Sequence, residues 1–164
     1  MVENRSSAVS ARSENDTSAA NAVMSGRPAP ECIRLDVRTG VTPSGKPPVR
    51  IYLGTQPAQY RAERAFIWSI EKFRDPSRVY EIYVMRELAG FDRSRWTTGF
   101  TNYRFAIPEF AGRHGRAIWN DVDQIYLADP APLFDLEMKG HGFLAIAPGG
   151  KVDTAVMLID CARM

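Results

Sequence analysis

Ala117-Ile118-Trp119-Asn120-Asp121-Val122-Asp123 is an apolar, strand-like run that ends in two carboxylates spaced i, i+2. On an extended backbone such residues point to the same side, so Asp121 and Asp123 project together while Val122 faces away. Two convergent carboxylates at the carboxyl end of a strand suit a hard divalent cation, and open α/β sheets bind their ligands at those ends. The same pattern also fits acidic residues of a solvated turn. The segments on either side decide between the two.

Upstream, residues 49–53 read as a buried strand, and Gly54-Thr55-Gln56-Pro57 turns the chain. Over residues 58–73 the apolar positions Ala62, Ala65, Phe66, Ile70 and Phe73 recur at three and four, one face of a helix that Asp75-Pro76-Ser77 ends. Residues 79–85, rich in Val, Ile and Tyr, form a second strand and complete a β-α-β unit. A polar connection over 90–99 carries Arg93, Arg95 and Trp96. Residues 101–110 read as a short helix with Tyr103, Phe105, Ala106 and Phe110 inward, bent or ended by Pro108. The third strand spans 116–119 and feeds the acidic pair, and 124–127 continues as extended chain. Asp129 is placed as N-cap of a short helix with Pro130 at its first position. Strands over 142–147 and 154–159 follow. Alternating strands and helices predict an α/β fold, a mostly parallel sheet with helices on its faces.

The chain has 164 residues, enough for one domain with a real core. A formal charge of +2 demands neither nucleic acid nor an acidic membrane as partner. Cys32 and Cys161 form no ladder, which fits a reducing compartment, and His114 and His141 have no metal-type pairing. No run approaches the roughly 20 apolar residues of a transmembrane helix, and residues 1–26 lack a signal-peptide layout. The expectation is a soluble cytoplasmic protein. Ser, Asn, Gly and Pro dominate residues 1–48, which read as a disordered tail before an ordered domain over 49–164. Such a tail is either a partner-binding segment or a dispensable leader. Within it, Cys32-Ile33-Arg34-Leu35-Asp36-Val37 alternates like a short strand.

Phe100-Thr101-Asn102-Tyr103-Arg104-Phe105-Ala106-Ile107-Pro108 precedes the acidic run, and Leu127-Ala128-Asp129-Pro130-Ala131-Pro132-Leu133-Phe134 follows it. This order resembles the glycogenin-like, or family 8, glycosyltransferases, which have a GT-A nucleotide-sugar-binding fold. Ile51-Tyr52-Leu53-Gly54-Thr55-Gln56 and Ser69-Ile70 resemble the family's first strand and helix, and Asp153-Thr154-Ala155-Val156-Met157-Leu158-Ile159 a later strand. The resemblance covers 49–164. It implies that Asp121 and Asp123 hold Mn²⁺ or Mg²⁺ and the donor's diphosphate, with Asp121 shared with the ribose. It also places Arg104 on the donor, Gly54, Thr55 and Gln56 beside the base and ribose, and Asp153 and Thr154 against the donor sugar. Two positions depart from the family, Gln56 where an acid is common and Asp153 where Asn is. For Arg104 the alternative is a salt bridge to a nearby carboxylate, and for Asp153 a loop carboxylate with no ligand.

The resemblance implies a hexosyltransferase-type enzyme that moves a sugar from a nucleotide-diphosphate sugar, UDP-linked by family habit, to an unknown acceptor. Such a reaction needs the charge on the leaving diphosphate neutralised, which a divalent cation does as a Lewis acid. Family members usually retain anomeric configuration, and no side chain here reads as the nucleophile. The family's late metal-binding His has no counterpart, so the chain reads as the N-terminal, nucleotide-binding part of a transferase. Two other readings stand beside it: a catalytically inactive nucleotide-binding or interaction module, and a nucleotidyltransferase-like enzyme. The latter lacks a Gly-rich phosphate loop near the first strand.

Overall fold

The computed structural model describes residues 28–91 and 98–164. Six strands lie in one open sheet: β1 Glu31–Leu35, β2 Val49–Gly54, β3 Tyr80–Met85, β4 Arg116–Asp121, β5 Phe143–Ile146 and β6 Asp153–Asp160. Their order across the sheet is β1-β3-β2-β4-β6-β5. The central strands β3, β2 and β4 are mutually parallel. The outer ones are antiparallel to their neighbours, β1 to β3, β6 to β4 and β5 to β6. The α/β class is as expected, and the sheet is mixed, with its parallel part at the centre. Strands β5 and β6 are joined by the short turn Pro148–Gly150, and so short a connection permits only an antiparallel pair.

Strict alternation divides the sheet into two apolar faces. On one face Ile51, Leu53, Ile82, Ile118, Val122 and Leu158 meet Phe66 and Ile70 of α1 (Tyr60–Phe73) and Ala131 and Phe134 of α3 (Ala131–Phe134). On the other, Tyr52, Met85, Trp119, Met157 and Ile159 meet Tyr103 and Ile107. These two come from a 3₁₀ turn, Thr101–Ala106, that runs straight into α2 (Ile107–Phe110). Helical segments therefore cover both faces, as predicted.

Three expectations need correction. The boundary placed at Val49 moves upstream, because β1 is a paired edge strand whose Ile33 and Leu35 pack on the core. The alternation in 32–37 was the sign of it; residues 1–27 lie outside the described residues, as do 92–97 of the polar connection. Phe105 is 66% exposed rather than inward. A 3₁₀ turn repeats every three residues, so the buried apolar positions are Tyr103 and Ala106, and Phe105 falls between them. The N-cap of α3 is Pro130, one residue later than expected, although Asp129 Oδ1 still accepts the Ala131 N–H at 3.0 Å. Along the connection 124–127 the Tyr126 N–H donates to Ser69 Oγ on α1.

Arg78 closes the edge of the sheet opposite the strand ends discussed below. Its side chain is 1% exposed and donates to both Asp135 oxygens, at 2.8 and 3.0 Å, and to the Pro47 carbonyl at 2.9 Å. These bonds from Arg78 hold the Asp135 carboxyl below the usual carboxylate range. A depressed carboxylate stabilises the fold above its unfolded pKa of about 3.9 and loses that contribution as pH falls through the folded value. Asp135→Asn is expected to lower stability at neutral pH by about 1 kcal/mol, discounted for the carboxylate's partial exposure. Urea titrations at pH 7 and pH 2.5 check this: the difference between variant and wild type should shrink in acid.

Candidate functional site

The parallel strands β2 and β4 end side by side, with Gly54 in register with Asp121 and the Val122 N–H donating to the Gly54 carbonyl at 3.1 Å. Strand β6 runs the opposite way, so its first residues, Asp153 and Thr154, stand beside the end of β4, where Asn120 pairs with Val156. One edge of the sheet thus gathers Gly54, Thr55, Asp121, Asp123, Asp153 and Thr154. Gln56 follows directly, and its carbonyl accepts the Gln59 N–H at 2.8 Å.

Close packing fixes the floor of this edge. A Cβ on Gly54 would fall on the six-membered ring of Trp119 and 2.6 Å from Phe100 Cδ2, so only glycine fits. Trp119 is fully buried, and its Nε1–H donates to Asp121 Oδ1 at 2.8 Å. Over the indole lies the Arg104 guanidinium, 4.9 Å from the ring centroid. Each Arg104 nitrogen donates: Nε to the Thr101 carbonyl at 2.9 Å, Nη1 to the Thr154 carbonyl at 2.8 Å and Nη2 to Asp121 Oδ1 at 3.3 Å. The salt bridge left open as the alternative for Arg104 is formed. This one side chain, 8% exposed, ties the 3₁₀ turn to β4 and β6.

The electrostatics follow from this crowding. Burial pushes the Asp121 carboxyl up; Arg104 and the indole N–H oppose the shift, while Asp123 and Asp153 add to it. Burial likewise lowers Arg104, against the pull of Asp121 and Asp153. The three carboxylates therefore feel one another. Asp123 is exposed, and its side-chain hydrogen bond among the described residues is from the Gln124 amide, at 3.3 Å. The Asp153 carboxylate accepts the Ala155 N–H at 2.9 Å.

This chemistry fits a hard cation in part. Both bonds to Asp121 fall on Oδ1, leaving Oδ2 without a hydrogen-bond donor among the described residues, and Asp123 adds a solvent-facing oxygen pair. A cation would relieve the repulsion from Asp123 and Asp153 that adds to the effect of burial on Asp121. Among the described residues no group of three His, Cys, Asp or Glu side chains is placed to hold an ion alone. His114 and His141 are exposed loop residues, away from the acidic edge in the sequence, and His114 contacts its own turn at the Gly112 carbonyl.

Trp119, Gln59 and Lys151 escape the sequence reading, which places Thr55 beside the base and ribose. Trp119 reads as an ordinary core residue yet anchors Asp121. Thr55 Oγ1 and Gln59 Oε1 are buried with no hydrogen-bond partner among the described residues, and Thr55 is 1% exposed at the end of β2. Buried polar atoms are normally paired, so a lone hydroxyl at a strand end marks a place for a ligand or water. Lys151 lines a cavity of about 340 Å³ with Pro148, Val152, Asp153 and Thr154. Its only sequence signal is its position two residues before Asp153.

No protein-family model matches the sequence, and no curated protein does. Solved structures do resemble the fold. The bifunctional glycosyltransferase WbbM, in its apo form, superposes with a TM-score of 0.63 at 13% identity, over 76% of this chain and 33% of its own. The apo glycosyltransferase GlyE of Streptococcus pneumoniae TIGR4 gives 0.55 at 17% identity, over 72% of this chain and 35% of its own. A second GlyE structure gives 0.55 at 16% identity. The chain matches about a third of the length of each. Its mixed, six-stranded open sheet is the GT-A-like fold that these glycosyltransferases have.

Proposed function

We propose that this chain is the donor-binding part of a metal-dependent glycosyltransferase of the glycogenin-like type, acting on a nucleotide-diphosphate sugar, UDP-linked in the first instance. The observation that carries the reading is the meeting of Gly54, Thr55, Asp121, Asp123 and Asp153 at one edge of the sheet. Ligands of open α/β sheets bind at that edge. Asp121 and Asp123 would hold Mn²⁺ or Mg²⁺, with phosphate and water oxygens completing the shell, and the bound ion would neutralise the departing diphosphate. Arg104 orients Asp121 through the Oδ1 bond and keeps β6 against β4. The Thr55 hydroxyl, buried with no hydrogen-bond partner among the described residues, offers a bond to the nucleoside.

A second reading has its own support. Asp121 is already engaged by Arg104 and Trp119, which suits an inactive module that keeps the fold and some nucleotide affinity. A thermal-shift screen of nucleoside diphosphates with Mn²⁺ and with chelator tests the first reading, because a ligand of the folded state raises its apparent stability. UDP with Mn²⁺ is expected to raise the melting temperature, and UDP with chelator to do so much less. Equal shifts in the two conditions favour the inactive module, and no shift with any nucleotide rejects both.

A further inference from the structure

Lys151 sits on the turn between β5 and β6, where Gly149 and Gly150 both have positive φ and carry the chain over into the strand. Its ammonium has no ion pair or hydrogen bond among the described residues, although Asp153 lies two residues away. Asp153 is turned to its own backbone, accepting the Ala155 N–H. Arg104, the other cation at this edge, is buried and held by the Thr101 and Thr154 carbonyls and by Asp121. Lys151 and Thr154 line the same cavity, and Thr154 is the residue whose carbonyl Arg104 grips. The cavity therefore adjoins the acidic edge and carries one uncommitted positive charge.

Resting on the proposed donor site, we infer that Lys151 is its anion-binding residue, taking an anionic oxygen of the donor in the 340 Å³ cavity. That oxygen belongs either to the diphosphate or to a carboxylate on the sugar, as in a uronic acid. A Lys ammonium is a mobile point charge with three donors, suited to either group, whereas the clamped Arg104 cannot follow a ligand. The exposed position of Lys151 keeps its desolvation cost small before the ligand arrives. Once covered by the ligand, the pair becomes a charge-assisted hydrogen bond.

Titration calorimetry with four ligands, uridine, UDP, UDP-glucose and UDP-glucuronate, on wild type, Lys151→Ala and Lys151→Arg tests the inference. The alanine variant is expected to bind its anionic ligand about tenfold more weakly, the size of a charge-assisted hydrogen bond, and the arginine variant to recover most of that. Equal losses for UDP, UDP-glucose and UDP-glucuronate, with uridine unaffected, assign Lys151 to the diphosphate. A loss confined to UDP-glucuronate assigns it to the sugar carboxylate. Lys139→Ala, which removes a surface charge elsewhere, should change none of these. Wild-type affinities retained by Lys151→Ala for all four ligands overturn the inference and leave the donor site standing. Failure of wild type to bind any nucleotide overturns the proposed function and this inference together.

Discussion

Asp123→Ala is expected to remove the gain in UDP affinity that Mn²⁺ provides while leaving the fold intact. Asp123 is exposed and, among the described residues, holds only a long hydrogen bond to Gln124, so the stability cost should stay within about 0.5 kcal/mol. Asp121→Ala should also remove the metal effect, but at a price in stability. From the sequence, both carboxylates face solvent and both can be deleted without harm. The structure corrects this for Asp121, which is 25% exposed and, among the described residues, is the carboxylate paired with the buried Arg104 guanidinium. Removing one partner of a buried ion pair costs about 3–5 kcal/mol; the carbonyls of Thr101 and Thr154 that remain on Arg104 should hold the loss to about 2–3 kcal/mol. Asp121→Asn keeps the acceptor for Trp119 and is the cleaner test of charge. Urea denaturation beside nucleotide titration separates the two effects for each variant.

Gly54→Ala is expected to cost about 3 kcal/mol or more, large for a single methyl group. Inserting atoms into a close-packed core typically costs about 1–3 kcal/mol, and here the obstacles are the rigid rings of Trp119 and Phe100. Trp119 cannot move aside without losing its bond to Asp121. Nucleotide binding should therefore fall along with stability, even where the variant remains folded. Thermal denaturation gives the first effect, and calorimetry well below the melting temperature the second. A variant with wild-type stability would mean that Trp119 has room to shift, and that the floor of the site is softer than described.

Much of the fold is legible in the sequence because its central strands are fully buried and its first helix strongly periodic. Residues 49–53 and 79–85 are apolar runs interrupted by one charge each, Arg50 and Glu81, and Phe66 and Ile70 recur on one helical face, so β2, α1 and β3 stand out. Strand direction is less visible. Nothing in the composition of 142–147 and 154–159 separates an antiparallel hairpin from parallel strands, apart from the shortness of Pro148–Gly150 between them. β1 hides in a Pro-rich segment because an edge strand pairs on one side only and carries exposed Glu31, Cys32 and Arg34.

The candidate site divides in the same way. Asp121 and Asp123 show themselves by an i, i+2 spacing at the end of an apolar run. The dual character of Arg104 is not visible in sequence, since its partners are distant in the chain, Asp121 and the Thr154 carbonyl. Thr55 is named by the resemblance, but the burial of its hydroxyl shows only in the structure, and Lys151 stands out only once the cavity is known.

The central claim is that this edge of the sheet holds a nucleoside diphosphate together with a divalent cation borne by Asp121 and Asp123. Titration calorimetry of UDP into the wild-type chain, once in Mn²⁺ and once in chelator, tests it most directly. The account predicts binding at least tenfold tighter in Mn²⁺, about 1.4 kcal/mol, with the difference abolished in Asp123→Ala. Equal affinity in the two conditions, or a Mn²⁺ effect that survives Asp123→Ala, contradicts it.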